Sequence, residues 1–120
     1  WGRDENMLSA LVLGSRSAVG STFNYAAPLY YQLIEAFDKG DLATARVLQQ
    51  QSIDMIRLLG KYGGIATGKA YMKLIGLDCG SFRLPVKNMD AAAFEQFKKD
   101  VALSGFEQYS SKIPTATNAL

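Results

Sequence analysis

Two adjacent carboxylates near the start of the chain are the residues best placed to do chemistry. Asp4 and Glu5 follow Gly2 and open a stretch whose apolar residues recur at helical spacing. Gly2 would let a ligand approach the backbone, and carboxylates accept hydrogen bonds from hydroxyl groups. Ser21 and Thr22 end a run of small residues one short helix further along and offer two hydroxyls. This mixture favours recognition of a polyol or sugar.

The same acidic pair also has a purely structural interpretation. Acidic residues are common in the first turn of a helix because they complement the positive end of the helix macrodipole. On the residues alone, Asp4 and Glu5 are therefore either a ligand site or a helix cap, and both alternatives stay open.

Composition excludes several classes of chemistry. The 120 residues contain no histidine and one cysteine, Cys79. Histidine-dependent triads, helical zinc motifs and an internal disulfide are therefore impossible within the chain, and a lone cysteine fits a reducing cytoplasm. The net charge of +2 comes from scattered basic residues, which argues against nucleic acid. No apolar run approaches the roughly 20 residues that span a bilayer.

The lysines and one glycine motif are interpreted as non-functional. A Schiff-base lysine must be desolvated to act as a nucleophile, and no lysine here lies on an apolar strand. Residues 63–69 match the phosphate-loop spacing G-x-x-x-x-G-K, but Ala70 replaces the magnesium-binding Ser or Thr, and a helix is predicted before the motif. We therefore expect no catalytic residue, no metal site and no nucleotide site in this chain.

The elements that must position the acidic pair are mostly helices. Apolar periodicity, caps and glycines predict a helix over residues 4–13, a short buried strand over 17–22, and helices that begin at Pro28, Asp41, Ile65 and Asp90. Residues 77–87 are predicted to form a loop, and the tail after Ser110 to be loose. Strand, helix, strand is the βαβ pattern, with residues 1–2 as the end of the first strand.

Several motifs, in this order and spacing, resemble the C-terminal part of the N-acetylneuraminate lyases. They are residues 2–5 (Gly-Arg-Asp-Glu), 8–14 (Leu-Ser-Ala-Leu-Val-Leu-Gly), 18–25 (Ala-Val-Gly-Ser-Thr-Phe-Asn-Tyr) and 83–85 (Arg-Leu-Pro). These lyases are pyruvate-dependent class I aldolases, similar to dihydrodipicolinate synthase. The resemblance covers essentially the whole chain.

The resemblance implies an α/β fold of which this chain is a mostly helical part. The family fold is a (β/α)8 TIM barrel with three appended C-terminal helices. Residues 1–39 would carry the end of strand 7, strand 8 and the last barrel helix, and residues 40–120 the helical extension. Such barrels need roughly 250 residues, so more than half of the enzyme would precede Trp1.

The resemblance also implies a reaction and roles for particular residues. The family cleaves N-acetylneuraminate to N-acetylmannosamine and pyruvate through a Schiff base on a strand lysine, which would lie upstream of this chain. Gly2, Asp4, Glu5 and Ser21 correspond to substrate-binding positions, whereas Arg3 occupies a variable place and receives no role. A cytoplasmic homotetramer without metal or organic cofactor is implied, and this segment alone is expected to be inactive.

Two rival interpretations remain at this point. The intact protein could be another pyruvate aldolase of the same family, acting on a different sugar acid or resembling dihydrodipicolinate synthase in its activity. Alternatively, the chain could be a non-catalytic helical binding or assembly module in which Asp4 and Glu5 are only a cap.

Overall fold

A computed structural model describes residues 1–113 of the chain, and residues 114–120 lie outside the described part. The described residues form five α-helices and two short 3₁₀ helices. The α-helices are α1 (Met7–Val12), α2 (Phe23–Asp38), α3 (Leu42–Lys61), α4 (Ile65–Leu74) and α5 (Ala91–Leu103), and the 3₁₀ helices are Asp4–Asn6 and Phe106–Gln108. The chain is therefore mostly helical over this range, as predicted.

The predicted cap at Asp41 and the predicted helix start at Asp90 are confirmed. Asp41 Oδ1 accepts a hydrogen bond from Thr44 N at 3.0 Å at the start of α3, and Asp90 Oδ1 accepts one from Ala93 N at 2.8 Å at the start of α5. Such caps satisfy backbone N–H groups that have no partner within the helix. The predicted helix boundaries at these aspartates therefore follow from local chemistry.

Helix α2 begins earlier than the sequence predicts. Its first turn starts at Phe23, and the backbone leaves helical geometry at Ala26 (φ −137°, ψ 30°) before continuing through Pro28. Proline has no N–H to donate to the preceding turn, and its ring crowds that turn, so the helix bends just before it. Pro28 thus lies in the first turn of the straight part of α2, but one turn precedes that part.

The prediction of a buried strand over residues 17–22 is wrong. No β-strand occurs among residues 1–113, residues 15–20 are irregular, and Val19 is 83% exposed. Trp1 N donates to Ser17 O at 2.7 Å, and Val19 N donates to Trp1 O at 2.8 Å, which are the two hydrogen bonds of a parallel pair. These hydrogen bonds do not extend further into a strand pair, because the polypeptide forms a 3₁₀ helix from Asp4.

Aromatic side chains from three α-helices and the last 3₁₀ helix pack together in the core. Tyr25 of α2 stacks on Tyr71 of α4 at a centroid distance of 4.6 Å, and Phe97 of α5 meets the Tyr71 ring edge-on at 4.9 Å. Phe106 packs against both tyrosine rings. All four side chains are buried, so this aromatic cluster, defined by these four residues, joins α2, α4 and α5.

The beginning of the tail is attached to the core. Ser111 N donates to Tyr25 O at 2.8 Å, and Ser111 Oγ accepts from Ala27 N at 3.3 Å. The prediction of a loose tail after Ser110 is therefore wrong at Ser111, and the rest of that prediction falls mainly on residues 114–120, outside the described part. No helix of residues 1–113 is both long and apolar enough to cross a membrane.

Candidate functional site

The four residues predicted to bind substrate line one open cleft of about 320 Å³. Gly2, Asp4 and Glu5 come from the start of the chain, and Ser21 comes from the segment that leads into α2. Ile56 and Leu59 of α3 contribute apolar surface to the same cleft. Residues nearly 20 positions apart are thus brought together, and their role in binding a substrate remains a prediction.

Asp4 is more buried than a residue at a free binding rim. Only 7% of it is exposed, and its Oδ2 accepts hydrogen bonds from Thr22 N at 3.1 Å and from Thr22 Oγ1 at 2.5 Å. Its Oδ1 accepts no hydrogen bond from any residue in the described range 1–113. One oxygen of this carboxylate is therefore bound within the protein, and the other has no hydrogen-bond partner among residues 1–113.

Gly20 packs directly against the Asp4 carboxylate. A Cβ atom at position 20 would overlap Asp4 Oδ1 and Cγ, lying far closer than non-bonded atoms can approach. Glycine is required here by close approach, since only a residue without a side chain leaves room for the carboxylate.

Thr22 does not offer a hydroxyl to the cleft, contrary to the expectation from sequence. It is buried, and its Oγ1 donates to Asp4 and lies 2.6 Å from the Tyr30 hydroxyl oxygen. Tyr30 in turn lies 2.8 Å from Ser52 Oγ. Burial raises the pKa of Tyr30 to about 12, so the phenol is protonated at neutral pH and can donate a hydrogen bond.

Gln49 ties the start of the chain to α3. Its Oε1 accepts from Leu8 N at 2.8 Å, and its Nε2 donates to Asp4 O at 3.3 Å. The side chain thus satisfies a backbone N–H in the first turn of α1, which has no partner within that helix. Gln49 falls at helical spacing with the buried Ala45 and Ser52, which is the sequence signal that separates it from its glutamine neighbours 50 and 51. Its contact with α1 depends on how the two helices pack.

Glu5 lies at the more open side of the cleft and is paired with Arg3. Both Arg3 Nη2 and Nε donate to Glu5 Oε1, at 2.9 and 3.2 Å. A hydrogen bond from the backbone amide of Glu5 itself, followed by the one from Arg3, lowers the pKa of this carboxyl. Glu5 is therefore a carboxylate at neutral pH, and Arg3, which received no role from sequence, orients it.

Ser21 and Gly2 are the most open members of the site. Both are exposed, and the Ser21 hydroxyl forms no hydrogen bond within residues 1–113, whereas its carbonyl accepts one from Asn24 Nδ2 at 3.0 Å. A Cβ at position 2 would meet nothing within 4 Å. The packing of this chain therefore does not explain why position 2 is glycine, while it leaves the Ser21 hydroxyl free for a ligand.

The glycine motif at residues 63–69 has no phosphate-loop geometry. Helix α3, not a strand, precedes it, and Lys69 lies within α4, where its Nζ donates to Cys79 O and Ser81 O, both at 3.0 Å. The prediction that a helix, and not a strand, precedes this motif is thus confirmed. Within residues 1–113, no group of three or more histidine, cysteine, aspartate or glutamate residues is arranged to hold a metal ion.

Comparisons with known proteins define the class of this chain. Residues 1–103 match the model of the dihydrodipicolinate synthetase family, so the chain belongs to that family. The N-acetylneuraminate lyase of Rattus norvegicus is 44% identical over 89 residues, which are 72% of this chain and 28% of the relative. The chain therefore spans less than a third of the length of this curated relative.

Solved structures agree with this placement. The N-acetylneuraminate lyase of Proteus mirabilis is 41% identical with a TM-score of 0.83, over 88% of this chain and 36% of that one. The N-acetylneuraminate lyase (sialic acid aldolase) of Aliivibrio salmonicida is 39% identical with a TM-score of 0.83, over 88% and 35% of the two chains. The fold of this chain is thus that of a segment of these enzymes, and its homologues are lyases.

Proposed function

We propose that this chain is the C-terminal segment of a pyruvate-dependent lyase that cleaves N-acetylneuraminate to N-acetylmannosamine and pyruvate. In the intact protein it completes a (β/α)8 barrel, with residues 1–39 as its last part and residues 40–120 as the helical extension. The Schiff-base lysine lies on the rest of the polypeptide, and the assembled enzyme is a cytoplasmic homotetramer.

The observation that carries this proposal is the shared cleft of Gly2, Asp4, Glu5 and Ser21. Asp4 Oδ1, the Glu5 carboxylate and the Ser21 hydroxyl can each accept a hydrogen bond, as recognition of a chain of hydroxyl groups requires. The similarity to N-acetylneuraminate lyases supports the choice of a sugar acid over other hydroxylated ligands.

The cleft residues bind and orient the substrate, and none of them performs the bond cleavage. Glu5 accepts from hydroxyls at the far end of the open-chain acid, Asp4 accepts through Oδ1, and the absence of a side chain at Gly2 lets the substrate approach the backbone. Ionised acceptors make the stronger hydrogen bonds of this set, so Glu5 contributes most at the open side.

The proposal is tested by pyruvate release from N-acetylneuraminate in the intact protein. Glu5→Ala should raise KM about tenfold or more, because a hydrogen bond to a charged group is lost. Glu35→Ala is a matched control, since that glutamate lies on the exposed face of α2 and pairs with Lys39, its one ion-pair partner among residues 1–113. Absence of pyruvate release by the wild-type protein would contradict the proposal.

The isolated segment gives a second test. Without the rest of the polypeptide it should release pyruvate only at background, and borohydride should trap no imine on any of its lysines. Trapping on a lysine of this chain would contradict the proposed location of the nucleophile.

A second candidate is a pyruvate aldolase of the same family acting on another sugar acid. The pairing of Arg3 with Glu5 favours keeping this candidate, because a guanidinium bound to a carboxylate of the cleft offers donors that an anionic or differently hydroxylated substrate could use. Profiling sugar acids with the wild type and Arg3→Ala separates the two: unchanged preference for N-acetylneuraminate supports the first candidate, and a switch of preferred substrate supports the second.

A further inference from the structure

We propose that Tyr30 and Ser52 are positioning residues for the cleft, which act through Thr22 to hold the Asp4 carboxylate and the segment carrying Ser21. Recognition of the hydroxylated end of the substrate then depends on helix α3, which lies in the helical extension. This inference rests on the proposed function of the cleft and goes beyond it by assigning roles to residues outside the substrate-binding set.

The hydroxyl groups of these residues form one continuous buried chain. Thr22 Oγ1 lies 2.5 Å from Asp4 Oδ2 and 2.6 Å from the Tyr30 hydroxyl, which is 2.8 Å from Ser52 Oγ. Thr22 and Ser52 are 2% and 0% exposed. With so little access to water, each hydroxyl depends on its neighbours for hydrogen bonds, because an unpaired buried polar group is costly.

The hydrogen bonds among these hydroxyl groups all run in one direction, with each donor pointing toward Asp4. Thr22 has a single hydroxyl proton, which it donates to the Asp4 carboxylate. Its oxygen must then accept from Tyr30, and the Tyr30 oxygen accepts from Ser52. Ser52 uses its proton for Tyr30 at 2.8 Å, since the backbone oxygen of Asp4 is further away at 3.4 Å. All donors therefore point toward Asp4, and hydrogen bonds in such a series strengthen one another.

This series of hydrogen-bonded hydroxyl groups ends at Asp4, which lines the cleft. Asp4 Oδ2 binds both the hydroxyl and the backbone N–H of Thr22, which immediately follows Ser21. The other oxygen, Oδ1, lies against Gly20, where no Cβ atom fits. The carboxylate thus sets the position of residues 20–22 as well as its own orientation, and a shift at Asp4 would move the Ser21 hydroxyl.

The test uses Tyr30→Phe and Ser52→Ala in the intact protein, assayed in the direction of synthesis so that the two substrates are varied separately. Tyr30→Phe should raise KM for N-acetylmannosamine by about three- to tenfold, the effect of one lost hydrogen bond, while KM for pyruvate stays unchanged. The double variant should match Tyr30→Phe alone, because both changes break one chain.

Three controls separate positioning from loss of stability. Leu48→Val removes one methylene from the buried face of α3 without touching a hydroxyl and should leave both KM values unchanged. Thr22→Ser keeps the hydroxyl and should retain the wild-type KM for the sugar, whereas Thr22→Val should raise it. Equal changes in both KM values, or the same pattern in Leu48→Val, would overturn the inference.

The failure of this inference differs from the failure of the proposed function. A wild-type protein that does not process N-acetylneuraminate contradicts the proposed function, and the best polyhydroxylated aldehyde of a substrate panel then replaces N-acetylmannosamine in the same comparison. Unchanged KM for that aldehyde in both Tyr30→Phe and Thr22→Val contradicts the positioning role, whichever substrate is used.

Discussion

Two buried tyrosines on helix α2 illustrate how differently the aromatic cluster and the surroundings of the cleft are held together. The Tyr30 hydroxyl, beside the cleft, lies within hydrogen-bond distance of both Thr22 and Ser52. The Tyr25 hydroxyl, in the aromatic cluster, has no hydrogen-bond partner within residues 1–113, while its ring stacks on Tyr71. The Tyr30 ring also packs edge-on against Phe23 at a centroid distance of 4.4 Å, so the two tyrosines differ in the hydrogen bonding of their hydroxyl groups.

This difference separates geometry from stability. Hydrogen bonds are directional, so the series of hydrogen-bonded hydroxyl groups beside the cleft restricts the positions of a few oxygen atoms. It adds only a modest amount to the free energy of unfolding. Burial of aromatic rings is much less directional but contributes far more per residue. We therefore expect substitutions in the aromatic cluster to change mainly the free energy of unfolding, and substitutions beside the cleft to change mainly KM for the sugar.

Phe97→Ala should have the largest effect on stability. Phe97 is fully buried and contacts the rings of Tyr62, Tyr71 and Phe94, so its truncation should lower the free energy of unfolding by about 3–5 kcal/mol. Denaturant unfolding measures this change, and Phe94→Ala, at a half-buried neighbour, should cost less. A raised KM for the sugar in the folded Phe97→Ala protein would contradict the expectation that the aromatic cluster affects stability and not substrate binding.

Gly20→Ala should have the largest effect at the cleft. Its methyl group would overlap the Asp4 carboxylate, which must move, so we expect a loss of about 1–3 kcal/mol in stability together with a raised KM for the sugar. The matched control is Gly68→Ala in α4, where a Cβ meets nothing within 4 Å and a gain in helix propensity is expected. Equal behaviour of the two alanines would refute the proposed steric role of Gly20.

Acid should lower the free energy of unfolding by protonating Asp100, which lies on α5 beside the aromatic cluster. Hydrogen bonds from Lys61 above all, then from Tyr62 and Gln96, lower the pKa of this carboxyl to about 2 from its ordinary 3.8. Because the folded state releases this proton more readily, the stabilisation is fully present above pH 3.8 and is lost as the pH falls toward 2.

The variant Asp100→Asn tests this pH dependence. The difference in free energy of unfolding between wild type and variant should shrink as the pH falls from about 4 toward 2, the range over which the carboxyl is protonated first in the unfolded and then in the folded state. Tyr62→Phe removes only one of the three donors and should show a smaller version of the same change. A difference that stays constant with pH would show that Asp100 acts by packing alone.

Tyr25→Phe should have the smallest effect on the free energy of unfolding. It directly tests whether the Tyr25 hydroxyl, unlike that of Tyr30, is without a hydrogen-bond partner. Removing a buried hydroxyl that lacks a partner within the described residues should leave the free energy of unfolding unchanged or raise it by about 1 kcal/mol. Tyr71→Phe is the matched control, because the Tyr71 hydroxyl donates to Met55 O at 3.1 Å and its removal should cost about 1 kcal/mol. A clear loss in Tyr25→Phe would reveal a hydrogen bond to that hydroxyl.

Local chemistry made the helical part of this chain predictable from sequence. Asp41 and Asp90 cap their helices within three residues, and Gly63 and Gly64, with φ of 103° and 69°, end α3 with backbone angles that glycine adopts easily. The acidic pair and Ser21 were also predicted together from motif spacing. The strand over residues 17–22 was wrong, because a strand depends on neighbours that local patterns do not supply.

The helices and their caps depend on contacts within a few positions, so local patterns are enough to predict them. The candidate residues at the start of the chain follow instead from motif spacing. The inward orientation of Thr22 depends on tertiary packing, as does the hydrogen bond from Leu8 N to Gln49. The same packing places Ser52 at the start of the series of hydroxyl groups that ends at Asp4. Asp4 and Ser52 are 48 positions apart, and the packing of helices brings them together. A side chain's role at such a contact depends on which helix faces meet, and that is decided by burial summed over the whole fold.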